Sequence, residues 1–110
     1  MTSQPSPFYT EPDLPLREHA PGAMQPVLQG KNFSAVVLHP TPDIRVREHT
    51  HDQEVLGIVM EGYLDLVVDG MARRVEAPGF YHIRPGVAHS ASGGVGCVVE
   101  VFAPVRPDLA

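Results

Sequence analysis

Tyr63-Leu64-Asp65-Leu66-Val67-Val68-Asp69-Gly70-Met71-Ala72-Arg73-Arg74-Val75-Glu76 decides the fold class. Runs with strand character flank Asp69-Gly70. A two-residue type I′ hairpin turn needs positive φ at both central residues, and Asp-Gly is among the pairs that supply it. The expectation is a tight antiparallel hairpin with strands over 63–68 and 71–76.

The pattern repeats outward from this hairpin. Short apolar runs at 33–38, 44–47, 54–60, 80–83 and 95–102 are divided by Pro40 and Pro42, Glu61-Gly62, Pro78-Gly79, Pro85-Gly86 and Gly93-Gly94. Short strands with regular turn signals and no helical periodicity indicate an all-β domain, an antiparallel sandwich or barrel. Upstream the texture changes, because half of the twelve prolines fall in residues 1–26. That segment is expected to be an extended, partly disordered arm, with the barrel over 27–110. Phe8, Tyr9, Leu14 and Leu16 are the side chains through which the arm would lie on its own barrel or on a second subunit.

A chain of 110 residues is enough for one core and too short for two. With a net charge of -5 and Lys31 as its single lysine, the chain is unsuited to nucleic acid or an anionic membrane as its main partner. No basic segment followed by an apolar run opens the sequence, and no run approaches the ~20 apolar residues of a membrane span. A soluble, cytoplasmic protein is expected. The lone Cys97 rules out an intramolecular disulfide, weakly indicates a reducing compartment, and reads as a small buried hydrophobe.

The chemistry concentrates in two places. His49-Thr50-His51 sets two imidazoles at alternate positions of an extended segment, on one face. His89, forty residues on, is brought alongside if the intervening strands fold back. Three converging imidazoles suit Zn, Fe, Ni or Cu better than Mg or Ca. Gln53 has the parity to reach inward as a further ligand, whereas Glu54 would face away. The second place is the strand at 95–102, where Val98, Glu100 and Phe102 share one face and Cys97, Val99 and Val101 the other. A carboxylate within an apolar strand needs a partner or a wet pocket. Arg106 is available either to pair with Glu100 or to hold a ligand carboxylate.

These residues resemble the two motifs of the cupin superfamily, the small jelly-roll barrels. The first motif is similar to His49-Thr50-His51-Asp52-Gln53-Glu54-Val55 through Gly62, and the second to Pro78-Gly79-Phe80-Tyr81-His82-Ile83-Arg84-Pro85-Gly86-Val87-Ala88-His89. The resemblance spans residues 33–102 and implies an antiparallel jelly-roll barrel. It also implies His49, His51 and His89 as ligands of a divalent transition metal, Zn, Ni, Fe or Mn. The family's fourth ligand sits four residues after the second His, where this chain has Val55. A three-histidine site completed by water is expected, with weakened or absent metal as the alternative.

The ending Glu100-Val101-Phe102-Ala103-Pro104-Val105-Arg106-Pro107-Asp108 resembles that of cupins which linearise unsaturated uronates. There an acidic residue, a Phe and an Arg line the pocket; Glu100, Phe102 and Arg106 match them, with Glu in place of the usual Asp. The resemblance implies a metal-dependent enzyme isomerising or ring-opening a small hydroxylated or sugar-derived acid. In it Glu100 would move a proton, Arg106 would hold the carboxylate and Phe102 would shape the wall. A non-catalytic ligand-binding module and an Fe-dependent dioxygenase are the alternatives. The apolar face of Leu56, Ile58 and Met60 suggests a homodimer.

Overall fold

The computed structural model describes residues 6–20 and 22–110. Eight strands follow one another: β1 (Leu16–Ala20), β2 (Ala23–Gln29), β3 (Ser34–Leu38), β4 (Val46–His49), β5 (Glu54–Val68), β6 (Met71–Glu76), β7 (Gly79–Ile83) and β8 (His89–Ala103). Short 3-10 turns at Glu11–Asp13 and Pro107–Leu109 flank them. The main sheet path is β1-β2-β3-β8-β5-β6, with β4 on β8 and β7 on β5.

The scaffold is the long β5–β8 ladder, running antiparallel from Glu54↔Ala103 to Val68↔His89. Its outer partners change along its length. The 54–59 half of β5 pairs β7 and the 98–102 half of β8 pairs β3; beyond the bend β5 pairs β6 and β8 pairs β4. One ladder thereby forms both layers of a rolled, all-antiparallel barrel. Its inner faces enclose Val27, Val36, Val55, Val59, Leu64, Leu66, Tyr81, Ile83, Val98, Phe102 and Leu109.

Two turn signals in the sequence are part of this bend. Glu61-Gly62 and Gly93-Gly94 lie inside β5 and β8, where register shifts fall between Val59/Glu61 and Asp65/Leu66. Gly62 has φ 73°, and a Cβ there would stand 2.0 Å from the Val95 carbonyl oxygen. The two backbones approach too closely at the bend for a side chain, so the glycine curves the strand without ending it. Asp69-Gly70, with φ 51° and 78°, is the I′ turn that the sequence indicates.

The arm boundary placed between 26 and 27 falls inside β2. Residues 1–5 of that arm lie outside the described residues, but 16–20 and 23–26 form the β1–β2 hairpin, with Leu16↔Pro26 and Arg17↔Gln25 in register. Pro26 is compatible with a strand here because the ladder to β3 begins only at Val27. Upstream, Glu11 and His39 pair at 2.7 Å, tying the segment to the end of β3, while Phe8 and Tyr9 remain exposed. Among the described residues no helix is long and apolar enough to cross a membrane.

Candidate metal centre

β4 ends at His49, so Thr50 and His51 continue past the ladder. His49 is in register with His89 on β8, and their ring centroids stand 4.2 Å apart. His51 completes the cluster at 4.8 Å from His89 and 5.6 Å from His49. One ligand atom from each of the three imidazoles lies within 4.8 Å of the others. His89 is buried, His51 half-buried and His49 exposed, which sets the cluster at the barrel rim.

Each ring is held by a backbone carbonyl two residues away. Nδ1 of His49 lies 2.8 Å from the Arg47 oxygen, Nδ1 of His51 3.1 Å from that of Gln53, and Nδ1 of His89 2.9 Å from that of Val87. A carbonyl oxygen only accepts, so each Nδ1 carries the proton and each Nε2 keeps its lone pair. This is the arrangement that orients histidine as a metal ligand. The Arg84-Pro85-Gly86-Val87 turn, closed by Val87 N–H donating to the Arg84 carbonyl, serves two rings at once. Its Gly86 N–H donates to the His51 carbonyl at 3.0 Å, and Val87 supplies the carbonyl for His89. Burial pushes the His51 pKa down; the Gln53 carbonyl opposes this, and His89, His49 and Arg106 add to the lowering.

The donor set fits a borderline transition-metal ion. Val55 stands in the fourth-ligand place, wholly buried between Ile83 and Phe102 in the ladder, and offers no donor atom. Gln53 contributes its backbone carbonyl to His51. Glu54 pairs with His82 on the outside of the barrel.

The second site meets the first through Phe102, whose ring lies 5.5 Å from that of His51. Glu100 faces inward in line with Val98 and Phe102, directly across from Gly57, and Gly57 lies across from Tyr81. The absent side chain at Gly57 is what lets the Tyr81 ring cross β5, and its hydroxyl donates to Glu100 Oε2 at 2.6 Å. On the other side His19 Nε2 stands 3.7 Å from Glu100 Oε1. Burial pushes the Glu100 carboxyl up, but the polar contacts of His19 and Tyr81 outweigh it and hold the group below its ordinary 4.5. Tyr81 is raised well above 10.0 by burial and by the facing carboxylate.

Arg106 does not pair with Glu100. Its Nε and Nη2 donate to the two oxygens of Asp108, at 3.3 and 2.7 Å, and Nη1 donates to His19 Nδ1 at 3.0 Å. The guanidinium also lies 4.8 Å from the Phe102 ring centroid. A partner only two residues away, on the closing 3-10 turn, captures the fork before it can reach Glu100. Sequence reasoning missed His19 and Tyr81. Tyr81 carries a signal, the shared inward parity with Ile83; His19 carries none, because Leu16-Arg17-Glu18-His19-Ala20 has no apolar alternation.

No family model matches the chain, and no curated protein matches it in sequence. Solved structures match its shape throughout. An RmlC-like cupin from Shewanella frigidimarina aligns with a TM-score of 0.81 at 22% identity, covering 99% of this chain and 100% of that one. KdgF from Halomonas sp. aligns at 0.82 and 18%, covering 96% and 100%. The chain has the cupin fold. The polyketide cyclase RemF from Streptomyces resistomycificus shares it at 0.72 and 23% identity, over 97% and 83%. In this fold His49 and His51 meet His89 in a histidine cluster able to hold a metal ion.

Proposed function

We propose that this cupin is a metal-dependent enzyme acting on a small hydroxylated or sugar-derived acid, by isomerisation or ring opening. The observation that carries the reading is the presence of two pre-set groups in one barrel, with Phe102 between them. Three imidazoles hold Nε2 lone pairs at the rim, and a carboxylate, Glu100, is held on the inner wall by the Tyr81 hydroxyl with His19 close on its other side. The shape match to KdgF, together with Glu100, Phe102 and Arg106 at the end of β8, supports a uronate as the substrate class.

His49, His51 and His89, with Gln53 beside them, would hold the ion, and a bound divalent metal supplies Lewis-acid polarisation of a substrate oxygen. The chain's own residues do the rest. Glu100 is kept ionised by Tyr81 and His19, so it is the group able to take a proton from substrate and return it. Phe102 is an apolar wall between the histidine cluster and His19. Arg106 presents a positive charge over that wall, with its Nε/Nη2 fork already on Asp108; a substrate carboxylate would use the remaining N–H groups or displace Asp108.

Turnover of an unsaturated uronate tests the reading. Glu100→Gln should abolish turnover while metal content stays at the wild-type level, and retained turnover would remove Glu100 from the chemistry. A non-catalytic ligand-binding module is the second reading, favoured by Val55 in the fourth-ligand place and by the Asp108 hold on Arg106. The lone, unpaired Cys97 supports a reducing, cytoplasmic setting. A homodimer through the outer sheet face belongs to the same reading. Leu56, Ile58, Phe80, Val99 and Val101 share that face by register, and Leu56 and Phe80 are 43% and 67% exposed.

A further inference from the structure

The polar groups of the barrel interior include one from an unexpected element. His19 comes from β1, the first strand of the path, yet its side chain is only 18% exposed and reaches the C-terminal wall. The register explains how. Glu18 pairs with Met24 and Ala20 with Ala23, so His19 is the extra residue of a bulge in β1. A bulge re-aims one side chain without disturbing the rest of the strand. Here it turns an imidazole onto Phe102, with ring centroids 5.6 Å apart, on the residue that also packs against His51.

The hydrogen bonds then fix the ring's tautomer. Arg106 Nη1 is 3.0 Å from His19 Nδ1, and a guanidinium only donates, so Nδ1 is the bare nitrogen and Nε2 carries the proton. That proton faces Glu100 Oε1, the oxygen left free by Tyr81. His19 thus has the opposite tautomer to the three clustered histidines, each protonated on Nδ1. The line Asp108, Arg106, His19, Glu100, Tyr81 is a polar chain hydrogen-bonded at both ends, with His19 Nε2 facing Glu100 Oε1 across 3.7 Å, a polar contact longer than a hydrogen bond.

We propose that His19 is a positioning residue: the bulged β1 strand closes the C-terminal wall and sets the orientation of the Glu100 carboxylate through an imidazole anchored by Arg106. The N-terminal hairpin is therefore a working part of the site. The catalytic consequence rests on the acid-isomerase reading above; the geometry does not.

Two measurements separate them. Nitrogen-correlated NMR of the full chain reports the tautomer of each histidine. His19 should be protonated at Nε2, and should lose that fixed tautomer in Arg106→Leu; an Nδ1-protonated or freely exchanging His19 overturns the proposal. With an unsaturated uronate as substrate, His19→Leu should lower kcat about tenfold or more with KM and metal content unchanged, as expected for losing a close polar partner of a charged group. His19→Gln, which keeps an amide donor for Glu100, should recover most of the loss, whereas His19→Asn, which keeps only the acceptor for Arg106, should not. Equal kcat in all three variants and wild type overturns the role. A wild-type protein inert on uronates with the fixed Nε2 tautomer overturns the substrate reading and upholds the geometry.

Discussion

Gly57→Ala is the smallest change that should disturb the inner wall. On backbone grounds alone it ought to help, since replacing glycine at a compatible φ stabilises by roughly 0.4–1 kcal/mol through the unfolded chain. The structure argues the opposite sign. A Cβ at Gly57 would stand 2.0 Å from Tyr81 Cζ and 2.2 Å from both Cε atoms. The ring, buried to 8% exposure, has to move. Overpacking of this kind costs about 1–3 kcal/mol. Displacing the hydroxyl from Glu100 leaves a buried carboxylate short of one donor, a further ~1–3 kcal/mol. The net expectation is a loss of about 1–5 kcal/mol, a large share of the roughly 5–15 kcal/mol that holds a domain together. Urea unfolding followed by circular dichroism reads it. With a slope of about 2 kcal/mol/M, the midpoint should fall by about 0.5–2.5 M. In a Tyr81→Ala background the same substitution should cost almost nothing, because the ring it strikes is gone. A Gly57→Ala protein as stable as wild type, or more so, would refute the account of how Tyr81 reaches Glu100.

The same wall sets the response to pH. Glu100 is held below 4.5 in the folded chain, so its contribution is complete above that value and is lost as pH falls through the folded pKa; Glu100→Gln should flatten the acid limb of a plot of urea midpoint against pH. Tyr81 is raised above 10.0, so its contribution is complete below pH 10 and is lost as pH rises further; Tyr81→Phe should flatten the alkaline limb. On the outer face, Leu56→Glu with Phe80→Glu should leave the fold intact and shift a dimer to monomer in sedimentation equilibrium, and an unchanged mass would move the interface elsewhere.

Much of this architecture is written locally. Asp69-Gly70 carries its own turn conformation, and the alternation of Val98, Glu100 and Phe102 places all three inside once the strand is recognised. The histidine cluster was legible because His49, His51 and His89 are sparse, chemically distinctive and correctly spaced. What escaped was set by other parts of the chain. Gly62 and Gly93 look like turn residues in isolation, and only the length of the β5–β8 ladder makes them bends within strands. The β1–β2 hairpin hides behind Pro15 and Pro26, whose missing N–H groups argue against a strand until the register shows where they fall. His19 and the Arg106–Asp108 pairing depend on a bulge and a closing 3-10 turn, neither of which has a compositional signature.

Everything proposed about chemistry depends on whether the three imidazoles take a metal. Metal-stripped wild-type chain should be titrated with zinc, nickel and ferrous iron under anaerobic conditions, and the bound ion measured by elemental analysis after desalting. One ion per chain is expected, retained by Glu100→Gln and lost or greatly weakened in His49→Ala and His89→Ala, since each removes one of only three protein Nε2 donors. Wild-type stoichiometry and affinity in both histidine variants would contradict the metal centre and, with it, both enzyme readings.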